Sequence, residues 1–518
     1  MTGGMSEKAK HHNGHPSKLP SGLREKGASL TSGRLLAKNA LWSLLGTVAP
    51  MLVAVPAVPR LIHAMGTDRF GVLTLAWVVI GYFSLFDFGF GRALTKLVAE
   101  ELGAGQCKDI PGLFWTCLTL MLVFGCAGAA VMATLSPWMV NRVLRIPAAI
   151  QPETQRAFYN LAASLPVVIT STALRGFLEA HQRFDVSTAV RIPLGIFTFG
   201  GPFLVLPFSV NLLPIVGILS AGRLAACVVL WKFCLRVHPR LLEDITIRWD
   251  LASSLFRFGG WMSVTNVVGP LLVYVDRFLI GTLVSMTAVA YYATPSEVVS
   301  RLLILPSAIV GVLFPAFSTG FAQDPARTRI LFIRGLKYTF LALFPCVLVV
   351  IVFAREGLAW WVGPEFAQHG TLVLQCLAIG VFFNGLANVP FALVQGAGRP
   401  DITGKLHLVE LPAYGLLLWV LVRAYGIQGA AIAWSVRALI DALLLFGFAR
   451  DFLPTSASLR QGMVLLPAFS LLTLIIAALV QGLAIKAVFL LVVILGFCAT
   501  AWLVLLSPEE RSLAQQYL

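Results

Sequence analysis

The chain has 518 residues, 58% of them hydrophobic and only 12% charged, with a mean hydropathy of +0.84, a balance that excludes a soluble globular domain and places the chain in a bilayer. The formal charge of +15 would suggest nucleic acid for a soluble protein; in so apolar a chain it reports orientation instead, and nucleic acid is excluded as a partner. Apolar runs of about 20 residues suit α-helices crossing ~30 Å of hydrocarbon and exclude outer-membrane strands, which are about half as long and alternate polar with apolar.

Residues 1–36, opening MTGGMSEKAKHHNGHP, are polar, basic and rich in Gly, Pro and Ser. They read as a disordered cytoplasmic tail with no cleavable signal. Its His11, His12 and His15 lack the outer shell that a metal site needs. The rest predicts an all-α polytopic membrane protein of about 14 transmembrane helices: 38–61, 70–91, 112–134, 157–180, 189–208, 211–231, 257–280, 286–318, 335–354, 372–394, 406–424, 427–448, 463–483 and 486–506. The stretch Gly91–Gly105 has mixed charge and helical period, so it continues the second helix past the membrane. The long 286–318 segment reads as one tilted helix kinked at Pro306. All eight Cys stand singly, as small apolar residues rather than a disulfide or metal framework.

With the amino terminus inside, about 26 of the 39 Lys and Arg fall in cytoplasmic segments, and both termini are cytoplasmic. No loop exceeds ~30 residues, too short for a folded soluble domain, and there is no GxxxxGK[ST] phosphate loop. The work is therefore done inside the membrane, without P-loop ATP hydrolysis. The chain also repeats itself. LEAHQRFDVSTAVRIPLGI (Leu178–Ile196) parallels LVQGAGRPDITGKLHLVELPAYG (Leu393–Gly415), and SAGRLAACVVL parallels SVRALIDALLL, with Arg223 near the place of Arg437. An offset of about 216 residues implies two homologous six-helix lobes, 37–250 and 251–455, followed by two extra helices and a tail in 456–518.

Each ion inside a span costs at least ~2.5–3.5 kcal/mol on insertion scales and so marks a candidate site. Arg175 with Glu179, Glu297 with Arg301, and Arg437 with Asp441 are i,i+4 pairs on one helical face. Either they are internal salt bridges, or they ring a water-filled cavity and offer arginines to an anion. Asp276 and Arg277 point about 100° apart, so each needs a partner from another helix or acts as an interfacial anchor. Arg223 has no acid at i±3 or i±4; it meets one across a helix interface, faces water or awaits a ligand. Asp87, Asp276, Glu297 and Glu410 are carboxylates able to carry a coupling H⁺ or Na⁺. Prolines within the first, fifth and eighth spans permit bends.

Two stretches, MGTDRFGVLTLAWVVIGYFSLFDFGFGRALTKLVAEELG and VDRFLIGTLVSMTAVAYYATPSEVVSRLLILPSAIVGVLFPAFS, with the spans and the half-repeat, resemble the polysaccharide flippases of the multidrug/oligosaccharidyl-lipid/polysaccharide exporter superfamily over about residues 37–450. The resemblance implies two six-helix bundles in a V and a cavity opening alternately to either side of the bacterial inner membrane. It also implies transport rather than enzyme chemistry, and a polyprenyl-diphosphate-linked oligosaccharide as cargo for cell-surface polysaccharide assembly. Polysaccharide polymerase and chain-length machinery are the further partners implied, and no cofactor beyond a coupling ion. The last two helices resemble the pair that forms a lipid-accessible groove in relatives of the lipid II flippase type. Arginines on the second and eighth helices face the cavity there; Arg92 and Arg301 are the matching positions. Between Lys38 at its edge and Arg60 the first span here has no charge, a departure from that relative. On this reading Arg223, Arg277 and Arg301, then Arg92 and Arg175, contact the diphosphate or its sugars. The competing readings are a cation-coupled multidrug antiporter of the same superfamily, which needs an acid-dominated pocket, and a membrane polysaccharide polymerase or ligase, which needs a large external loop.

Overall fold

The computed structural model describes residues 33–85, 90–104, 109–181, 183–249, 268–269, 271–320, 325–453, 461–506 and 510–511, with side chains from 49 onward except at 82–85, 92, 96, 100, 103–104, 312, 315–316, 318–320, 325 and 461–468. Most of the predicted tail lies outside this range, and the first helix begins at Gly33. No strand occurs among the described residues. The first half of the chain folds as α1 (Gly33–Met65), α2 (Thr67–Leu85), α3 (Phe90–Ala104), α4 (Ile110–Trp138), α5 (Gln151–Ala180), α6 (Phe184–Val205) and α7 (Leu212–Val237). In the second half come α8 (271–283), α9 (Met286–Ser300), α10 (Ile304–Gly320), α11 (Pro325–Val352), α12 (Ala354–Trp361), α13 (Pro364–Gly396) and α14 (Pro400–Arg450), followed by α15 (Gln461–Leu479) and α16 (Leu483–Thr500). Among the described residues nine helical stretches are long and apolar enough to cross a membrane. The protein is an all-α, multi-pass membrane protein.

Two predicted boundaries shift for identifiable reasons. The bend expected at Pro306 lies in a 3₁₀ turn, Arg301–Leu303, that separates α9 from α10. Pro306 has no N–H for the carbonyl of Leu302, and its ring crowds that carbonyl, so the distortion appears in the preceding turn. The spans expected at 406–424 and 427–448 run into one another as α14, which breaks at Gly426 with φ 59° and ψ −135°. Only a residue without Cβ adopts that conformation cheaply. Residues 86–89, between α2 and α3, and 250–267, which hold the start of the seventh predicted span, fall outside the described range.

Apolar side chains face in two directions, as a bilayer requires. Leu122, Val123 and Val131 on α4 and Leu491, Val492 and Leu495 on α16 are exposed and meet hydrocarbon rather than water. Inward, Phe90, Phe114, Phe177, Leu178 and Leu241 form a core private to the first half. Leu313, Phe317, Phe332 and Val389 form a smaller one in the second half. A third cluster spans both halves, from Phe70 and Leu73 to Met286, Tyr292 and Leu377. The α15–α16 pair is tied to the body by a 2.9 Å ion pair between Lys486 and Glu356 of α12.

Hydrogen bonds join the halves at one end of the molecule. Arg145 donates its N–H to Gly281 at 2.8 Å, the Thr287 hydroxyl donates to Asp68, and the Trp361 indole donates to the Val55 carbonyl at 2.6 Å. At the same end Gly71 lets α2 touch α9: a Cβ there would lie 2.0 Å from the Met286 carbonyl oxygen. Gly71→Ala is therefore expected to force the halves apart and to lower stability by about 1–3 kcal/mol. Thermal unfolding in detergent checks this, with Gly217→Ala as control, since a Cβ at Gly217 meets nothing within 4 Å.

Candidate functional site

Helices from both halves enclose a cavity of about 410 Å³. Val58, Phe70, Thr74 and Trp77 line it from α1 and α2, Phe199 from α6, and Arg277, Glu297, Arg301, Phe353 and Trp361 from the second half. Its walls are largely aromatic and aliphatic, with the ions grouped on one side. Glu297 sits between two guanidiniums: it accepts from Arg277 of α8 at 2.9 Å and from Arg301 one turn along its own helix at 3.0 Å. The i,i+4 spacing of Glu297 and Arg301 makes the second bond possible. Asp276 accepts from the backbone N–H of Arg277 at 2.7 Å and from the Tyr292 hydroxyl.

Asp276 and Arg277 are thus buried, at 2% and 4% exposure, and neither is an interfacial anchor. The guanidinium of Arg277 also lies 5.4 Å from the Tyr274 ring centroid, within cation–π reach. Arg277 is held by the fold. Arg277 and Arg301 both line the cavity, and Arg301, whose side chain is 30% exposed, is the more open of the two.

A second cavity, of about 250 Å³, lies between α5, α6 and α7 and is lined by Arg175, Arg191 and Arg223 with Ser171, Thr172, Ser187 and Thr198. Helical spacing assembles it. Ser171 and Arg175 are four apart on α5, Ser187 and Arg191 four apart on α6 with Thr198 seven further on, and Arg223 precedes Ala226 by three on α7, so each set shares one face. Arg175 reaches Glu179 at 3.8 Å, but that carboxylate is shared with the Ser187 hydroxyl at 3.0 Å. Neither Arg191 nor Arg223 has an ion pair among the described residues. Three forked cations around one small space repel each other and together match the geometry of a phosphate or diphosphate. α6 contributes to both cavities, Thr198 to this one and Phe199 to the large one.

The half-repeat reproduces this pocket in the second half with other chemistry. A cavity of about 270 Å³ is lined by Asn384, Asn388, Phe391, His407, Arg437 and Asp441, so that His407 takes the place of Arg191, Asn388 that of Thr172, and Arg437 that of Arg223. The expected Arg437–Asp441 pair does not form. Arg437 lies 3.6 Å from Glu410 and Asp441 3.9 Å from His407. The reason is the break at Gly426, which lays the two arms of α14 side by side and brings residues 407–414 against 437–441.

Residues 36–321 match the family described as polysaccharide biosynthesis protein. The chain belongs to that family. It is 31% identical over 408 residues to the "Putative O-antigen transporter" of Shigella flexneri, covering 79% of this chain and 96% of that one. Among solved structures it resembles lipid II flippase MurJ in an inward closed conformation, with a TM-score of 0.69 at 13% identity over 89% of this chain and 98% of that one. It also resembles an inward-facing multidrug resistance MATE family transporter of the MOP superfamily, with a TM-score of 0.68 at 11% identity over 79% of this chain and 97% of that one. These likenesses show the fold, which is the one the sequence resemblance implied.

Within this family member four of the five expected arginines divide between two places. Arg277 and Arg301 meet at the cavity between the halves, and Arg175 and Arg223 at the pocket of the first half. The side chain of Arg92 and the whole of Asp87 lie outside the described residues. Asp276 and Glu297, expected as ion carriers, are engaged by Tyr292 and by two arginines, while Glu410 is buried beside Arg437. Two residues were missed, Arg191 and His407. Both lie in the repeated stretches and share a register, and the four-residue spacing from Ser187 was the available signal for Arg191.

Proposed function

We propose that this polysaccharide biosynthesis protein moves an undecaprenyl-diphosphate-linked oligosaccharide repeat unit across the inner membrane by alternating access, for assembly of cell-surface polysaccharide. The observation that carries the reading is the pocket of Arg175, Arg191 and Arg223, in which two cations have no acid among the described residues. Carrying a diphosphate through hydrocarbon alone would bury its charge at a cost of many kcal/mol. An arginine-lined path removes that barrier while the polyprenyl tail stays in lipid. Arg301 and the aromatic wall of the cavity between the halves then receive the sugars, for which aromatic faces and a few polar groups suit a recognition surface.

With the termini cytoplasmic, the end where Val55, Asp68 and Gly71 meet Trp361, Thr287 and Met286 is the external one. Those are the contacts that part when the cavity opens outward. An inside-negative potential favours outward movement of anions by ~2.3 kcal/mol per charge per 100 mV. Deleting the gene is expected to remove surface polysaccharide and to leave lipid-linked repeat units on the cytoplasmic leaflet, where an impermeant glycan-modifying reagent cannot label them. Normal surface polysaccharide in the deletion strain would overturn the reading.

A further inference from the structure

The pocket in the second half has a use that cargo binding does not explain. Glu410, Arg437 and Asp441 are 7%, 8% and 4% exposed, yet the separations of 3.6 Å from Arg437 to Glu410 and 3.9 Å from His407 to Asp441 are too long for direct hydrogen bonds. Both carboxylate oxygens of Glu410, Oδ1 of Asp441, Nδ1 of His407, Nε of Arg437 and the Tyr414 hydroxyl are buried without a hydrogen-bond partner. A donor atom from each of His407, Glu410 and Asp441 lies within 4.8 Å of the others. So many unpaired polar atoms converging on one cavity indicate a site built to hold a bound species.

Charge identifies the species. Two carboxylates against one guanidinium, with His407 neutral, leave one negative charge. A divalent ion would overshoot and sit beside Arg437, which repels it. Na⁺ would balance the charge, but Arg437 competes for the same oxygens and a histidine nitrogen is a poor ligand for so hard an ion. A proton balances the charge and needs no room: held between Glu410 and Asp441 it turns one carboxyl into a donor for the other.

The groups packed around the site connect it to the cargo side. α13 contributes no charged group, only the amides of Asn384 and Asn388 and the apolar Ala387 and Phe391. From α14, the Tyr414 ring lies 5.5 Å and the Trp434 ring 5.7 Å from the Arg437 guanidinium. From α8, Asp276 is within electrostatic reach of both Arg437 and Tyr414, and it also holds Tyr292 of α9 and the backbone of Arg277. Arg277 in turn shares Glu297 with Arg301 at the cavity. The geometry points to a proton-binding site formed by Glu410 and Asp441, flanked by His407 and Arg437, whose occupancy is linked through Asp276 to the cavity arginines, so that proton exchange drives the cargo movement proposed above. The energetic role rests on that flippase reading; the site itself does not. Proton uptake at Glu410 and Asp441 releases Arg437 toward Asp276, which weakens the hold of Asp276 on its neighbours and alters the charge offered at Arg301.

The test counts protons on the purified full chain in detergent, without cargo, so its result is independent of what the protein carries. Titrated between about pH 5 and 9, the wild-type chain is expected to take up about one proton more than Glu410→Gln/Asp441→Asn, and Na⁺ added at fixed pH is expected to displace none. Equal uptake by the two proteins overturns the site, and so does proton release on adding Na⁺, which would make it a sodium site. If the double variant is not monodisperse, the near-isosteric Asp441→Asn is titrated instead, with the fluorescence of Trp434 beside Arg437 as a second readout. A pH response unchanged by that single substitution also overturns the site. Failure here leaves the flippase reading intact, since the deletion phenotype tests that separately.

Discussion

Replacing Arg191 and Arg223 together with glutamine is expected to reduce polysaccharide export by more than about 100-fold, since each lost charge-assisted bond to a phosphate is worth roughly 1.5–3 kcal/mol. Each single substitution is expected to cost roughly 10-fold, and Arg223→Lys to retain part of the activity, because an ammonium keeps the charge but not the fork. The readout is surface polysaccharide in a deletion strain complemented at matched protein level. Abundance and melting temperature serve as the second readout and distinguish a ligand site from a structural one. Three like charges around one pocket repel, so removing one does not destabilise an empty protein. A salt-bridged structural arginine behaves oppositely. Full export by the double variant would remove the pocket from the cargo path.

That opposite behaviour is expected at Glu297, which gives the largest stability effect in the molecule. Glu297→Ala leaves Arg277, with a side chain only 5% exposed, without its carboxylate, and breaking a buried pair from one side costs about 3–5 kcal/mol. The expected outcome is a sharp loss of folded protein in the membrane, measured by detergent-extracted yield and melting. Glu297→Gln keeps one acceptor and is expected to fall between. Arg277→Met combined with Glu297→Gln removes the buried cation and is expected to recover most of the lost stability, because well-packed apolar replacements of buried ion pairs are often neutral. No recovery in that double variant would show that Arg277 contributes more than its pairing.

Much of this was legible in the residues. Apolar run length marks the membrane helices because hydrocarbon admits few alternatives, but several helices run on past their apolar stretch, with α11 beginning at Pro325 and α13 at Pro364 rather than at 335 and 372. The half-repeat was readable from Leu178–Ile196 and Leu393–Gly415, and its register places the two matched pockets. Partners were harder. The i,i+4 rule identified Glu297–Arg301 correctly and failed for Arg437–Asp441, because spacing along a helix says nothing of a carboxylate on an antiparallel arm. The partner of Arg277 was hidden for the same reason: its acid stands 20 residues away on α9. Arg191 was overlooked since a single cation in a basic stretch has no distinctive pattern until α5 and α7 bring two others to it.

The 3₁₀ turn at Arg301–Leu303 joins two rods with different winding. Each 3₁₀ residue advances about 120° around the axis rather than 100°, and rises about 2.0 Å rather than 1.5 Å. If those three residues relax to α geometry, the downstream segment Ile304–Gly320 unscrews by about 60° and draws in by about 1.5 Å. A rotation confined to one backbone turn would swing a whole stripe of side chains past their neighbours while the residues before the joint stay seated. Arg301, standing at the joint, would register that torsion first.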